Sequence, residues 1–77
     1  MKYITYTNTS LDTPKFVLFE NDTNHDMMAR TIGARRILGA GFVSIIDGKF
    51  YVFGESLSLN VPSRKEDNNI LNRSLLS

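Results

Sequence analysis

His25 and Asp26 are the first residues of this chain whose types invite chemistry. A histidine beside a carboxylate at the start of a helix has the parts of an oriented general base. Adjacent helical residues do not face one another, however. His25 precedes Met28 by three positions and Ala29 by four, so its ring is expected to lean on an apolar stripe. A catalytic site needs convergent groups, and one histidine does not make one. No catalytic residue is assigned, and the chain is not expected to be an enzyme.

The other chemical signatures are weaker. One His, no Cys and dispersed carboxylates give no metal-ligand spacing. Asp22 and Asp26 could share a hard cation, but loop carboxylates mostly stay solvated or cap helices. No metal and no cofactor are expected. Ser56 and Ser58, in the run Gly54-Glu55-Ser56-Leu57-Ser58, form neither a G-x-S-x-G elbow nor part of a visible triad. Their alternation with Leu57 and Leu59 reads as the outward face of a strand. Gly39-Ala40-Gly41 lacks the Lys-Ser/Thr pair and the following helix of a phosphate loop.

The cations offer a binding site instead. Arg30, Arg35 and Arg36 flank the end of the first expected helix, and Arg64 and Lys65 open the second. Arginine near a helix C-terminus is favoured by the dipole, whereas Arg64 and Lys65 in a first turn oppose it. If the arginines converge they make a phosphate or carboxylate site, and Tyr3, Tyr6 or Tyr51 could stack bases beside them. The competing reading is a solvated face with short ion pairs to Glu66 and Asp67. Nine Lys and Arg against eight acidic residues, a net charge of +1, do not demand a polyanionic partner.

The elements that must position these residues centre on Arg36 to Leu59, which reads as one long β-hairpin. Asp47-Gly48 between runs of Val, Ile, Phe and Tyr calls for a two-residue type I′ turn. That turn sets Ile46 against Lys49, Ile45 against Phe50, Ser44 against Tyr51, Val43 against Val52 and Phe42 against Phe53. Val43, Ile45, Phe50 and Val52 then share one face, and Phe42, Ser44, Tyr51 and Phe53 the other, which is also partly apolar. The apolar alternation changes phase around Gly39–Gly41 and Gly54, predicting a bulge or bend with Gly41 and Gly54 opposed and something packed on the bare backbone.

Before the hairpin, Lys2–Thr7 reads as a strand, Asn8–Pro14 as a polar loop, and Lys15–Glu20 as a strand apolar on both faces and therefore central. A helix follows to about Ile32, with Thr23 and Asp26 as a loose capping box and Gly33 as its C′ residue. After the hairpin, Asn60-Val61-Pro62 breaks the strand. Ser63-Arg64-Lys65-Glu66 is an S-x-x-E capping box opening a second helix to about Leu75. Ile70, Leu71 and Leu75 form its apolar stripe, with Asp67, Asn68, Asn69 and Asn72 outward or sideways. The order is β-β-α-β-β-α, an α+β domain with an antiparallel sheet of about four strands and two short helices on one face.

At 77 residues the chain is one domain, residues 1–77, with a small core and marginal stability. The absence of cysteine removes disulfides and thiolate metal sites. No apolar run approaches the roughly 20 residues that span a membrane, and the N-terminus lacks the apolar core of a signal peptide. A cytoplasmic location is expected.

The run from Ala40 to Leu71, with the His25-Asp26 helix, resembles a type of very short bacterial and phage protein. That resemblance implies no activity; it directs attention to Glu55, Ser56, Ser58, Ser63 and Arg64. Two functional expectations result. The first is a small non-enzymatic interaction module, accessory or phage-type, that binds another protein or itself as a homodimer. It would use an exposed hairpin edge or the partly apolar second face of the sheet. The second is a nucleic-acid or nucleotide-phosphate binder using Arg30, Arg35, Arg36, Arg64 and Lys65.

Overall fold

A computed structural model of the chain describes residues 1–9 and 13–73. Eight elements follow in order: β1 (Lys2–Thr7), β2 (Lys15–Phe19), α1 (His25–Ile32), β3 (Arg36–Ile46), β4 (Lys49–Phe53), β5 (Glu55–Ser56), β6 (Val61–Pro62) and α2 (Lys65–Arg73). The tip of the loop before β2, and the expected continuation of the second helix to Leu75, lie outside the described residues. The α+β class stands: a four-stranded antiparallel sheet, a second sheet of two short strands, and two helices.

The main sheet has the order β2-β1-β3-β4. At 11 residues β3 is long enough to serve two partners, β1 along its first half and β4 along its second. The β3–β4 register is the one that Asp47-Gly48 demands, from Phe42 opposite Phe53 to Ile46 opposite Lys49. Asp47 (φ 52°) and Gly48 (φ 78°) both take the positive φ of the tight turn. β2 is apolar on both sides but lies at the sheet's edge, not its centre. Its two faces are covered all the same, because Phe16 and Leu18 pack on one core and Val17 and Phe19 on the other.

The expectation of both helices on one face is overturned. Consecutive strand residues point to opposite faces, and Tyr3 and Ile4 are both fully buried. Tyr3 joins Val43, Ile70 and Leu71 under α2. Ile4 joins Phe19, Ala29 and Ala40 under α1, with Leu59 and Val61 of the small sheet beside them. The sheet is therefore a middle layer, with α2 on one face and α1 plus β5–β6 on the other. Burying a side chain such as Leu71 or Ile4 contributes about 1.5–3 kcal/mol, and both cores add to stability in this way.

Both phase changes appear as irregularities of the backbone. Thr5 pairs with Gly39 and Tyr6 with Ile37, so Leu38 is the extra residue of a bulge. At the other end Gly54 (φ 72°) turns the chain out of β4. The long hairpin thus ends at Phe53. Glu55–Ser56 pairs with Val61–Pro62 around a turn in which Asn60 takes φ 57°. Val61-Pro62 forms a strand where a break was expected. Gly41 and Gly54 do approach closely: a Cβ on Gly41 would come within 2.6 Å of the Phe53 carbonyl oxygen and 3.3 Å of Gly54.

Gly33 closes α1 in the left-handed conformation (φ 67°), as its position suggests. Neither capping box forms as read. Asn24 occupies the N-cap of α1 without a side-chain bond, and Asp26 pairs with Arg30. At α2 the Ser63 hydroxyl donates to the Gly54 carbonyl (2.7 Å), and the carboxylate of Asp67, not Glu66, accepts from the Arg64 N–H (3.1 Å).

Candidate functional site

Asp67 is fully buried and heavily hydrogen-bonded. It accepts from the Tyr3 hydroxyl (2.6 Å), the Thr5 hydroxyl (2.9 Å), the Arg64 backbone N–H, and Arg64 Nε and Nη2 (3.1 and 2.8 Å). Burial, and then donation to Asp67, push the Tyr3 phenol well above its ordinary range, so it stays a donor. This network fastens α2 to β1, and Arg64 is committed within it. The outward or sideways placement expected of Asp67 is corrected: it is fully buried. It precedes Ile70 by three residues and Leu71 by four, which puts it on the buried stripe.

Asn68 and Asn72, expected outward or sideways, take the sideways position, half-buried against the edge of β4. Asn72 accepts from the Phe50 N–H (2.8 Å) and donates to the Phe50 carbonyl (2.9 Å), while Asn68 accepts from the Val52 N–H (2.9 Å). Alternate residues of an edge strand turn their backbone groups away from the sheet. Here α2 supplies the partners that another strand would supply, so these positions of the hairpin edge are taken.

His25 is buried, as leaning on the apolar stripe requires. Its ring stands edge-on between Phe19 (centroids 5.3 Å apart) and Phe42 (6.0 Å). Nε2 lies 2.8 Å from the Gly41 carbonyl oxygen. A carbonyl only accepts, so Nε2 carries the proton and donates. Burial, chiefly, holds the His25 pKa below its usual value, opposed by the Gly41 bond and assisted by Lys2. A folded pKa below the unfolded one means that the unfolded chain binds more protons on acidification. The contribution of His25 to stability is therefore expected to be complete above about pH 6.5 and to be lost as the pH falls from there through the depressed folded pKa. The fall in melting temperature on acidification should be smaller in His25→Gln, whose amide can still donate to Gly41. An equal fall in both proteins would remove His25 as its source.

The remaining candidates scatter. Ser56 is buried and accepts from the Leu59 N–H (3.1 Å), so it braces the β5–β6 turn and is not on an outward strand face. Ser58 accepts from the Asp26 N–H (3.2 Å), and Ser63 is held to Gly54. Arg35, Arg36 and Lys65 are exposed. Arg30 lies on α1 and Arg64 at the start of α2, the two helices occupying opposite faces, so these cations are not gathered into one site. Of the candidates, His25, Glu55 and Ser58 are brought together, lining an open cleft of about 300 Å³ with Lys2, Phe42 and Leu57. Among the described residues, no cluster of His, Asp and Glu could hold a metal ion, and no helix is long and apolar enough to cross a membrane.

The cleft opens onto a larger feature that sequence reasoning underrates. Beyond the reach of α1 and the small sheet, the second face of the β3–β4 hairpin is uncovered. Ile46 (54% exposed), Tyr51 (46%) and Phe53 (52%) lie on it, with Leu57 (84%) at its margin. Phe42 and Phe53 stack with centroids 5.8 Å apart, joining this surface to the cleft. Alternation places Tyr51 and Phe53 on one face. It does not reveal that α1 stops short of them. No family model, curated protein or solved structure matches the chain.

Proposed function

We propose that this chain is a non-enzymatic interaction module of the cytoplasm that docks a protein partner on the open face of the β3–β4 hairpin. The observation that carries this reading is the contrast between the two faces of the same two strands. On the α2 side Val43 is buried and Phe50 and Val52 pack against the same core, with Ile45 beside the turn lying past the helix (62% exposed); on the other side Ile46, Tyr51 and Phe53 are all open to solvent. Contiguous exposed apolar surface rimmed by charge is the usual mark of a contact site, and aromatic side chains are the usual anchors of such sites. The edge of β4 is the weaker candidate, because α2 already occupies Phe50 and Val52. A phosphate or nucleic-acid site is weaker too, since Arg30 and Arg64 are each committed to an aspartate on different faces.

A photo-crosslinking residue placed at Tyr51 tests the reading in the cell that makes the protein. The control position is Asn69, exposed on α2 across the sheet. Covalent protein adducts, of the chain with itself or with another protein, are expected from position 51 and not from position 69. No adduct at position 51, or equal adducts at both, would overturn the proposal.

A further inference from the structure

The pattern of charge along the open face selects its occupant. Lys49, Tyr51 and Phe53 alternate along β4 and so share that face. Glu55 follows the turn at Gly54 and lies beside Phe42 and Leu57, on the same side. The strip therefore reads cation, aromatic, aromatic, anion. Lys49 and Glu55 are both exposed, and neither forms an ion pair with another described residue. Lys49 stands at the turn end of β4 and Glu55 just past the turn at Gly54, so the two charges flank the Tyr51–Phe53 pair at opposite ends.

Such a strip is its own complement. A two-fold axis through its middle, at the level of Val52, turns it end for end. Tyr51 of one copy then meets Phe53 of the other, and Lys49 meets Glu55, twice over by symmetry. That is the geometry of an isologous interface, in which one patch serves both subunits. Sheets stacked face to face lie about 10 Å apart, a gap that lysine and glutamate side chains can close from either side. We infer that the open face of the β3–β4 hairpin binds a second copy of this chain, as an antiparallel two-fold dimer locked by reciprocal Lys49–Glu55 pairs. This inference rests on the docking reading above and names its partner. A domain this small also gains by association, since alone it buries a modest share of its surface.

Charge reversal separates this partner from any other. Wild-type protein should sediment as a dimer that dissociates on dilution. Lys49→Glu sets two carboxylates against each other at both ends of the interface, and Glu55→Lys sets two ammonium groups there. Each variant alone should therefore dimerise on the order of tenfold more weakly. Mixed in equal amounts, the two variants should form a heterodimer tighter than either homodimer. One end then sets the native lysine of one copy against the native glutamate of the other, and the opposite end sets the introduced glutamate against the introduced lysine. The double variant, carrying both Lys49→Glu and Glu55→Lys, should recover the homodimer. Recovery on mixing also shows that each variant is folded. A wild-type monomer at every concentration, or a mixture no tighter than its components, would overturn the second-copy inference. Adducts from position 51 to a foreign protein, with a monomeric wild type, would sink this inference and leave the docking reading standing; no adducts and no dimer would remove both.

Discussion

Asp67→Ala is expected to destabilise the protein by about 2–4 kcal/mol, less than breaking a wholly buried ion pair because the Arg64 left behind is 30% exposed and has Glu66 3.9 Å away. A small domain has only about 5–15 kcal/mol in total, so this change removes a large share of it. The substitution strips the acceptor from the buried Tyr3 hydroxyl, leaves Thr5 only its 3.3 Å bond to the Gly39 carbonyl, parts the half-buried Arg64 guanidinium from its counter-ion, and removes the bond to the Arg64 N–H at the start of α2. The orphaned Tyr3 hydroxyl alone costs about 1–3 kcal/mol. Asp67→Asn keeps the shape and one acceptor oxygen, so it should lose less. Urea unfolding measures both. An alanine variant within about 1 kcal/mol of wild type would mean that the network does not fasten α2 to the sheet.

Gly39→Ala is the second large effect, expected at about 1–3 kcal/mol from overpacking. A methyl at position 39 overlaps the Asp67 carboxylate, whose Oδ1 would be 3.1 Å away. Gly39 has no positive φ to lose, so the penalty is steric. It acts by prising the carboxylate from Tyr3 and Thr5. The same methyl should then cost little in an Asp67→Ala background, where the space is vacant. A double-mutant cycle should show strong non-additivity. Additive losses would show that the methyl acts on something other than Asp67.

These residues also mark where sequence reasoning succeeds and where it stops. The hairpin register is legible because Asp47-Gly48 permits one turn geometry, and a two-residue loop leaves the strands no freedom. The helix stop at Gly33 is legible for the same local reason. The faces of the helices are not. A strand with Tyr3 and Ile4 both apolar allows cover on either side, and only the three-dimensional path decides which helix takes which. Strand order is hidden likewise: β1 enters between β2 and β3 by pairing Tyr3 with Gly41 and Thr5 with Gly39, contacts more than thirty residues apart. The short loops give no hint of them. In the candidate site, burial of His25 follows from its spacing to Met28 and Ala29. Asp67 is misread when a carboxylate is assumed to prefer water, although its spacing to Ile70 and Leu71 places it on the inner stripe. The amide pair Asn68 and Asn72, four apart, carries a signal of the same kind.

That amide pair makes α2 a surrogate fifth strand. The segment it covers, Lys49–Phe53, is KFYVF, aromatic and β-branched without proline, the composition that stacks readily into cross-β assemblies. Release of this nine-residue helix bares the backbone of Phe50 and Val52 in the same step that uncovers Leu71. Lifting α2 alone, without unfolding the sheet, is therefore expected to present an unpaired strand edge to a second chain.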